Sequence, residues 1–165
     1  MPVTRLEINY LDASAAVKLV LDEPPGSDRV KKYFDEHAGF RMTSLCLTEA
    51  LGVLKSKWRR KQLSEKDYSD KCYVLLAQAR GKPKRIHVDD IQLSDLDVFN
   101  KTEQIAKHHN LDLSDALQLV GVKQRFGALS GSSKPLLITA DRDLASAAEK
   151  ESIRVWNCVA QATPP

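Results

Sequence analysis

Four acidic residues sit in stretches where a solvated surface acid would have polar neighbours: Asp12 in NYLDAS, Glu49 in LTEALG, Asp115 in LSDALQL and Asp141 in ITADRDL. Burying one unpaired carboxylate among apolar residues is costly. Four that converge repel one another unless a divalent cation holds them, and carboxylates are hard oxygen donors suited to Mg²⁺ or Mn²⁺. The chemistry this spacing points to is therefore a metal site. Such a cation lowers the pKa of a coordinated water and stabilises charge on a phosphate.

Whether the acids meet depends on the elements that carry them. Strands and helices alternate along the chain. Residues 6–11 read as a strand ending at Asp12, followed by a helix over 13–23 stopped by Pro24, Pro25 and Gly26. Ser27 is expected to cap a second helix to about Glu36, with Val30, Tyr33 and Phe34 as its apolar stripe. A strand over 40–44 leads into a long helix from Leu45 to about Lys61, and Ser64 caps the next, which runs to Gly81-Lys82-Pro83. A short strand is expected at 85–88 and helices at 94–108 and from Asp112 or Ser114 to Phe126, with Asn110 as the stop between them. A flexible loop over 127–135, a buried strand at 136–139, a helix over 143–151 and a last strand at 153–157 complete the order. This alternation predicts an α/β fold, a central parallel sheet with helices on both faces. Functional groups in such sheets gather beyond the carboxyl ends of the strands. Asp12 and Asp141 fall there directly, and Glu49 and Asp115 lie in the first turns of helices that start there.

Each acid also has a structural reading. Asp12 can cap the helix that follows it, Asp115 can act at a helix N-terminus with Asp112, and Asp141 or Asp143 can cap the 143–151 helix. Glu49 resists this treatment most. It points away from the stripe of Leu47, Leu51, Leu54 and Trp58, yet Leu45 and Val53 lie one turn either side and Gly52 is near. Apolar nearly all round in its first two turns, that helix is expected to be buried there.

The chain has 165 residues, 42% hydrophobic and 28% charged, which is the make-up of one soluble domain over 1–160 with a disordered tail at 161–165. The net charge of +3 leans weakly towards anionic partners. The basic run from Lys55 to Lys61 is a solvated helix end or a nucleic-acid contact, with Lys55, Arg59 and Arg60 as candidates for the second role. Cys46, Cys72 and Cys158 show no zinc or disulfide spacing, and Cys46 reads as a small core residue. His108 and His109 are expected to meet the carbonyls of their helix end. No signal peptide and no 18-residue apolar run is present, so a cytosolic protein with no membrane segment is expected.

Taken together, YLDASAAVKLV, TSLCLTEAL, LDLSDALQLV and LLITADRDLA resemble the PIN-domain ribonucleases, most closely the VapC-type toxins of toxin–antitoxin pairs, over residues 8–156. The resemblance implies a three-layer α/β/α sandwich that binds Mg²⁺ or Mn²⁺ and cuts single-stranded or loop RNA, leaving a 5′-phosphate and a 3′-hydroxyl. Matched motif by motif, it assigns Asp12, Glu49, Asp115 and Asp141 to the metal cluster, Ser14 and Thr139 to supporting hydroxyls and Asp143 to an extra ligand through water. The resemblance implies a homodimer and an antitoxin partner. Arg142, beside Asp141, is a candidate to touch a phosphate and equally a plain surface residue. A housekeeping nuclease of RNA processing and a non-catalytic module of the same fold are the alternatives. A receiver-type phospho-acceptor fits less well for want of paired early acids and a lysine on a late strand. A dehalogenase-type phosphatase lacks its second acid, since Ser14 stands two residues after Asp12.

Overall fold

The computed structural model describes residues 7–82, 84–126 and 134–165. Leu6 at the start of the first expected strand, Pro83, and positions 127–133 of the expected loop lie outside them. The element order is β1 (Asn9–Leu11), α1 (Ala13–Val20), α2 (Ser27–Glu36), β2 (Phe40–Thr43), α3 (Ser44–Arg59), α4 (Glu65–Arg80), β3 (Ile86–Asp89), α5 (Leu96–His109), α6 (Leu113–Phe126), β4 (Leu136–Thr139), α7 (Arg142–Lys150) and β5 (Arg154–Asn157). All strand pairs are parallel, in the order β3-β2-β1-β4-β5. Right-handed crossovers explain the layering. The steps β1 to β2 to β3 move outward in one direction and carry α1–α4 on one face. The chain then crosses back to β4 and β5 with α5–α7 on the other, giving the α/β/α sandwich expected.

The strands sort their side chains with period two. Leu11, Phe40, Met42, Ile86, Leu136, Ile138 and Trp156 pack under α1–α4 with Val17, Val30, Phe34, Ala50, Leu54 and Leu75. Tyr10, Leu137 and Val155 pack under α5–α7 with Ile105, Leu119, Val120, Leu144 and Ala148. A polar cluster ties the strands together on that second face. Asp89, 5% exposed, accepts from the Tyr10 hydroxyl at 2.7 Å and from Arg41 at 2.8 and 2.7 Å, tying β1, β2 and β3 together. Burial and the Asp89 hydrogen bond push the Tyr10 phenol well above its ordinary value, so it stays a donor.

Several local expectations change. Ser27 does not cap α2: the cap is Gly26 at φ 106°, and Ser27 turns its hydroxyl back to brace the Glu23 backbone at 2.7 and 2.8 Å. His109 meets a side chain instead of helix carbonyls, with its Nε2 2.7 Å from Glu151. The tail expected to be disordered is tethered, since the Gln161 carbonyl accepts from Trp156 Nε1 at 3.1 Å and Arg154 reaches the Pro165 carbonyl. The first turns of α3 are not buried all round. Only Cys46, Ala50 and Leu54 are fully covered, and Val53 is 40% exposed. Among the described residues no helix is long and apolar enough to cross a membrane.

Gly39 fixes the entry to β2 beside β1. Its φ is +70°, its carbonyl accepts from Asn9 N at 3.0 Å, and a Cβ there would stand 1.9 Å from the Glu7 carbonyl oxygen. Gly39→Ala is expected to lose at least about 1–2 kcal/mol from the backbone conformation alone. A urea denaturation midpoint equal to wild type would contradict this packing.

Candidate active site

Strand β1 is the centre of the sheet, and it is where the strand order reverses: the chain goes to β2 on one side and returns to β4 on the other. Doubly wound sheets open a crevice at such a point, beyond the strand ends. Asp12 stands there, 4% exposed, its backbone N–H extending the β4 ladder to the Ile138 carbonyl at 3.0 Å. Its side chain caps α1, and one oxygen does all of this work. Oδ2 accepts from Thr139 Oγ1 at 2.9 Å, from Ser14 N at 3.2 Å and from Ser14 Oγ. Both hydroxyls also accept from the backbone that follows β4, Ser14 Oγ from Ala140 N at 2.8 Å and Thr139 Oγ1 from Asp141 N at 2.9 Å. Each hydroxyl proton is directed to Asp12, so these two residues lock β1 to the β4–α7 turn and leave Asp12 Oδ1 outside the network.

Asp141 sits at the far end of that turn. Its Oδ1 caps α7, accepting from Asp143 N at 2.7 Å and Leu144 N at 2.8 Å. Asp141, not Asp143, is thus the capping acid, and Arg142 and Asp143 are exposed beside it. Asp115 lies in the first turn of α6 and Glu49 in the second turn of α3. All four acids share one electrostatic neighbourhood. Burial first, then the charges of Asp12, Asp141, Glu49 and Asp112, pushes the Asp115 carboxyl up to about 7. Burial and the charges of Asp12 and Glu49 likewise push the Cys46 thiol up to about 12, which leaves it an inert core residue.

Whether these residues suit a divalent cation is tested by what they lack. Among the described residues no three acidic, histidine or cysteine side chains stand close enough to hold an ion as they are. The chemistry of the donors nevertheless suits one, because the four are hard oxygen donors and the charges of Asp12, Asp141 and Glu49 all reach Asp115. A second observation points the same way. Gln118, one turn after Asp115 and 1% exposed, sends Nε2 towards the Leu11 carbonyl at 3.5 Å, and its Oε1 has no partner. A buried acceptor left so costs about 1–3 kcal/mol. Sequence reasoning passed over Gln118. The available signal was a polar residue within the apolar run Ala116–Val122, three positions after an acid and so on its face of the helix.

The basic candidates lie elsewhere. Lys55 Nζ stands 4.1 Å from the Trp58 ring centroid and 5.3 Å from that of Tyr68, and the two rings stack at 5.5 Å. That cluster fastens α3 to α4. Arg59 and Arg60 are exposed at the end of α3, about 15 Å along the helix axis from Glu49. Of the four basic candidates, Arg142 is the one next to an acid. A groove of about 560 Å³ between α5 and α6, lined by Lys101, Ile105, His108, Val120, Lys123 and Glu151, contains none of the four acids.

No protein-family model and no curated protein matches the chain. Solved structures do. PAE2754 from Pyrobaculum aerophilum superposes with a TM-score of 0.54 at 20% identity, covering 87% of this chain and 86% of its own. FitAcB from Neisseria gonorrhoeae superposes with a TM-score of 0.56 at 16% identity, covering 93% of this chain and 100% of its own. At these identities the likeness is one of fold, and it extends over nearly the whole molecule: the chain is an α/β/α sandwich of the kind these two proteins have.

Proposed function

We propose that the protein is a PIN-type endoribonuclease, dependent on Mg²⁺ or Mn²⁺, that acts as the toxin of a VapBC-type pair. The observation that supports this reading is that the charges of Asp12, Asp141 and Glu49 act on the half-buried Asp115, with Asp12 directly after β1 and Asp141 two residues after β4. The shared fold of PAE2754 and FitAcB supports the architecture on which it rests. The four carboxylates would hold the cation, which when bound supplies a Lewis acid that activates water and neutralises charge on the scissile phosphate. Ser14 and Thr139 fix Asp12 through Oδ2, so that Oδ1 is held ready without reorganisation. Arg142, exposed next to Asp141, offers a guanidinium to the RNA phosphates. In this reading the protein is a cytoplasmic homodimer, silenced when an antitoxin segment covers the acidic rim.

The test is cleavage of a single-stranded RNA in Mg²⁺, in EDTA, and by Glu49→Gln. Cleavage in Mg²⁺ that EDTA stops and Mn²⁺ restores is expected, with Glu49→Gln inactive. Cleavage in EDTA, or full activity of Glu49→Gln, overturns the proposal.

A further inference from the structure

Gln118 is the one buried side-chain atom bearer among the described residues whose polar atom has no hydrogen-bond partner. The orientation of its amide is decided by its neighbour. Exchanging the two ends would set Oε1 against the Leu11 carbonyl, acceptor against acceptor, so Nε2 faces Leu11 and Oε1 is the orphan. Its place in the fold is specific. The register of β1 with β4 runs to Leu11↔Ile138, whereas that of β1 with β2 ends at Tyr10↔Arg41. The amide therefore reaches the last residue of β1 where the ladder to β2 has ended, directly before Asp12 and one helical turn below Asp115. A glutamine at this point puts a neutral amide at the end of β1, next to Asp12 in the chain and one turn from Asp115, where a further carboxylate would add to the repulsion.

We propose that Gln118 is a positioning residue of the centre, its Oε1 accepting a hydrogen bond from the hydration shell of the divalent cation. The proposal rests on the reading of the four acids as a cation site. It explains why an acceptor is buried without a protein partner: its partner arrives with the ion. Outer-sphere groups of this kind orient the shell and set affinity without touching the metal.

The experiment measures Mn²⁺ affinity by calorimetric titration, and metal-free stability by denaturation in EDTA, for wild type and Gln118→Met. Methionine keeps the length and buries well but accepts no strong hydrogen bond. The expected result is Mn²⁺ binding weakened about 10-fold or more in the variant, with metal-free stability equal to wild type or above it because the orphan oxygen is gone. Unchanged Mn²⁺ affinity, or a variant that loses stability in EDTA or fails to fold, marks a structural amide and overturns the proposal. Wild type that binds no Mn²⁺ is a different failure, visible without the variant, and removes the cation reading along with this one.

Discussion

Asp12→Asn is expected to lower RNA cleavage about 10²–10³-fold while leaving the fold intact. Asparagine caps a helix about as well as aspartate. Its carbonyl oxygen can take the place of Oδ2 and accept from Ser14 N, Ser14 Oγ and Thr139 Oγ1, so the lock between β1 and the β4–α7 turn survives. What is lost is the charge and Oδ1, the oxygen the network leaves to the centre. An NH₂ group there cannot ligate a cation, and the remaining acids hold one less tightly. Relieved of its second-largest perturbation, the Asp115 carboxyl moves back towards its ordinary range. Asp12→Ala is the contrasting variant. It removes the cap, at about 1 kcal/mol, and strands two hydroxyls that now lack their acceptor. Single-turnover cleavage and thermal melting of both variants separate the roles. Cleavage by Asp12→Asn within a few-fold of wild type would show that the reaction does not run through this carboxylate.

The order of the five strands and seven helices among the described residues was legible because each rests on local chemistry: apolar alternation in the strands, an Asp or Ser cap at 12 and 64, Asn110 in the left-handed conformation that ends α5. The acids were legible as oddities of environment. What the sequence could not convey is which faces become covered. Val53 read as buried because a helical wheel carries no information about which side of α3 its neighbours cover, and Leu54 is covered where Val53 is exposed. Glu49 is accordingly half-buried, where the pattern of its helix pointed to full burial. Lys55 read as a candidate for RNA because its charge is visible in sequence and its aromatic seat on Tyr68, from another helix, is not. His109 and Glu151 are 42 residues apart, and no local pattern links them. Gln118 shows the same limit from the other side, since an unmet hydrogen bond exists only once the surroundings are known.

The largest effect on stability is expected at Asp115. Its carboxyl, ordinarily near 3.8, titrates at about 7 in the fold. Between about pH 4 and pH 7 the folded protein therefore keeps a proton that the unfolded chain has released. A state that binds more protons is favoured by acid, so metal-free stability falls as pH rises through that window and is fully reduced above about 7. The shift corresponds to about 2–4 kcal/mol. Asp89 and Glu151 do not mask it. Both carboxyls lie below their ordinary values, held there by Arg41 and Tyr10 in one case and by Lys123 and His109 in the other, and what they contribute is lost only in more acid solution. Asp115→Asn removes the repelling charge. In EDTA at pH 8 the variant is expected to melt about 5–10 °C above wild type, with that advantage cut to less than half at pH 5. On the proposed cation reading, Mg²⁺ is expected to reverse the order of merit: it would stabilise wild type at pH 8 by binding the folded state alone, and the variant much less for want of one proposed ligand. Calorimetric scans at pH 5 and 8, each with EDTA and with MgCl₂, read all four corners. Wild type equally stable at both pH values in EDTA, or a variant with no advantage at pH 8, would mean that the acids do not press on Asp115, and the case for a cation to relieve them would go with it.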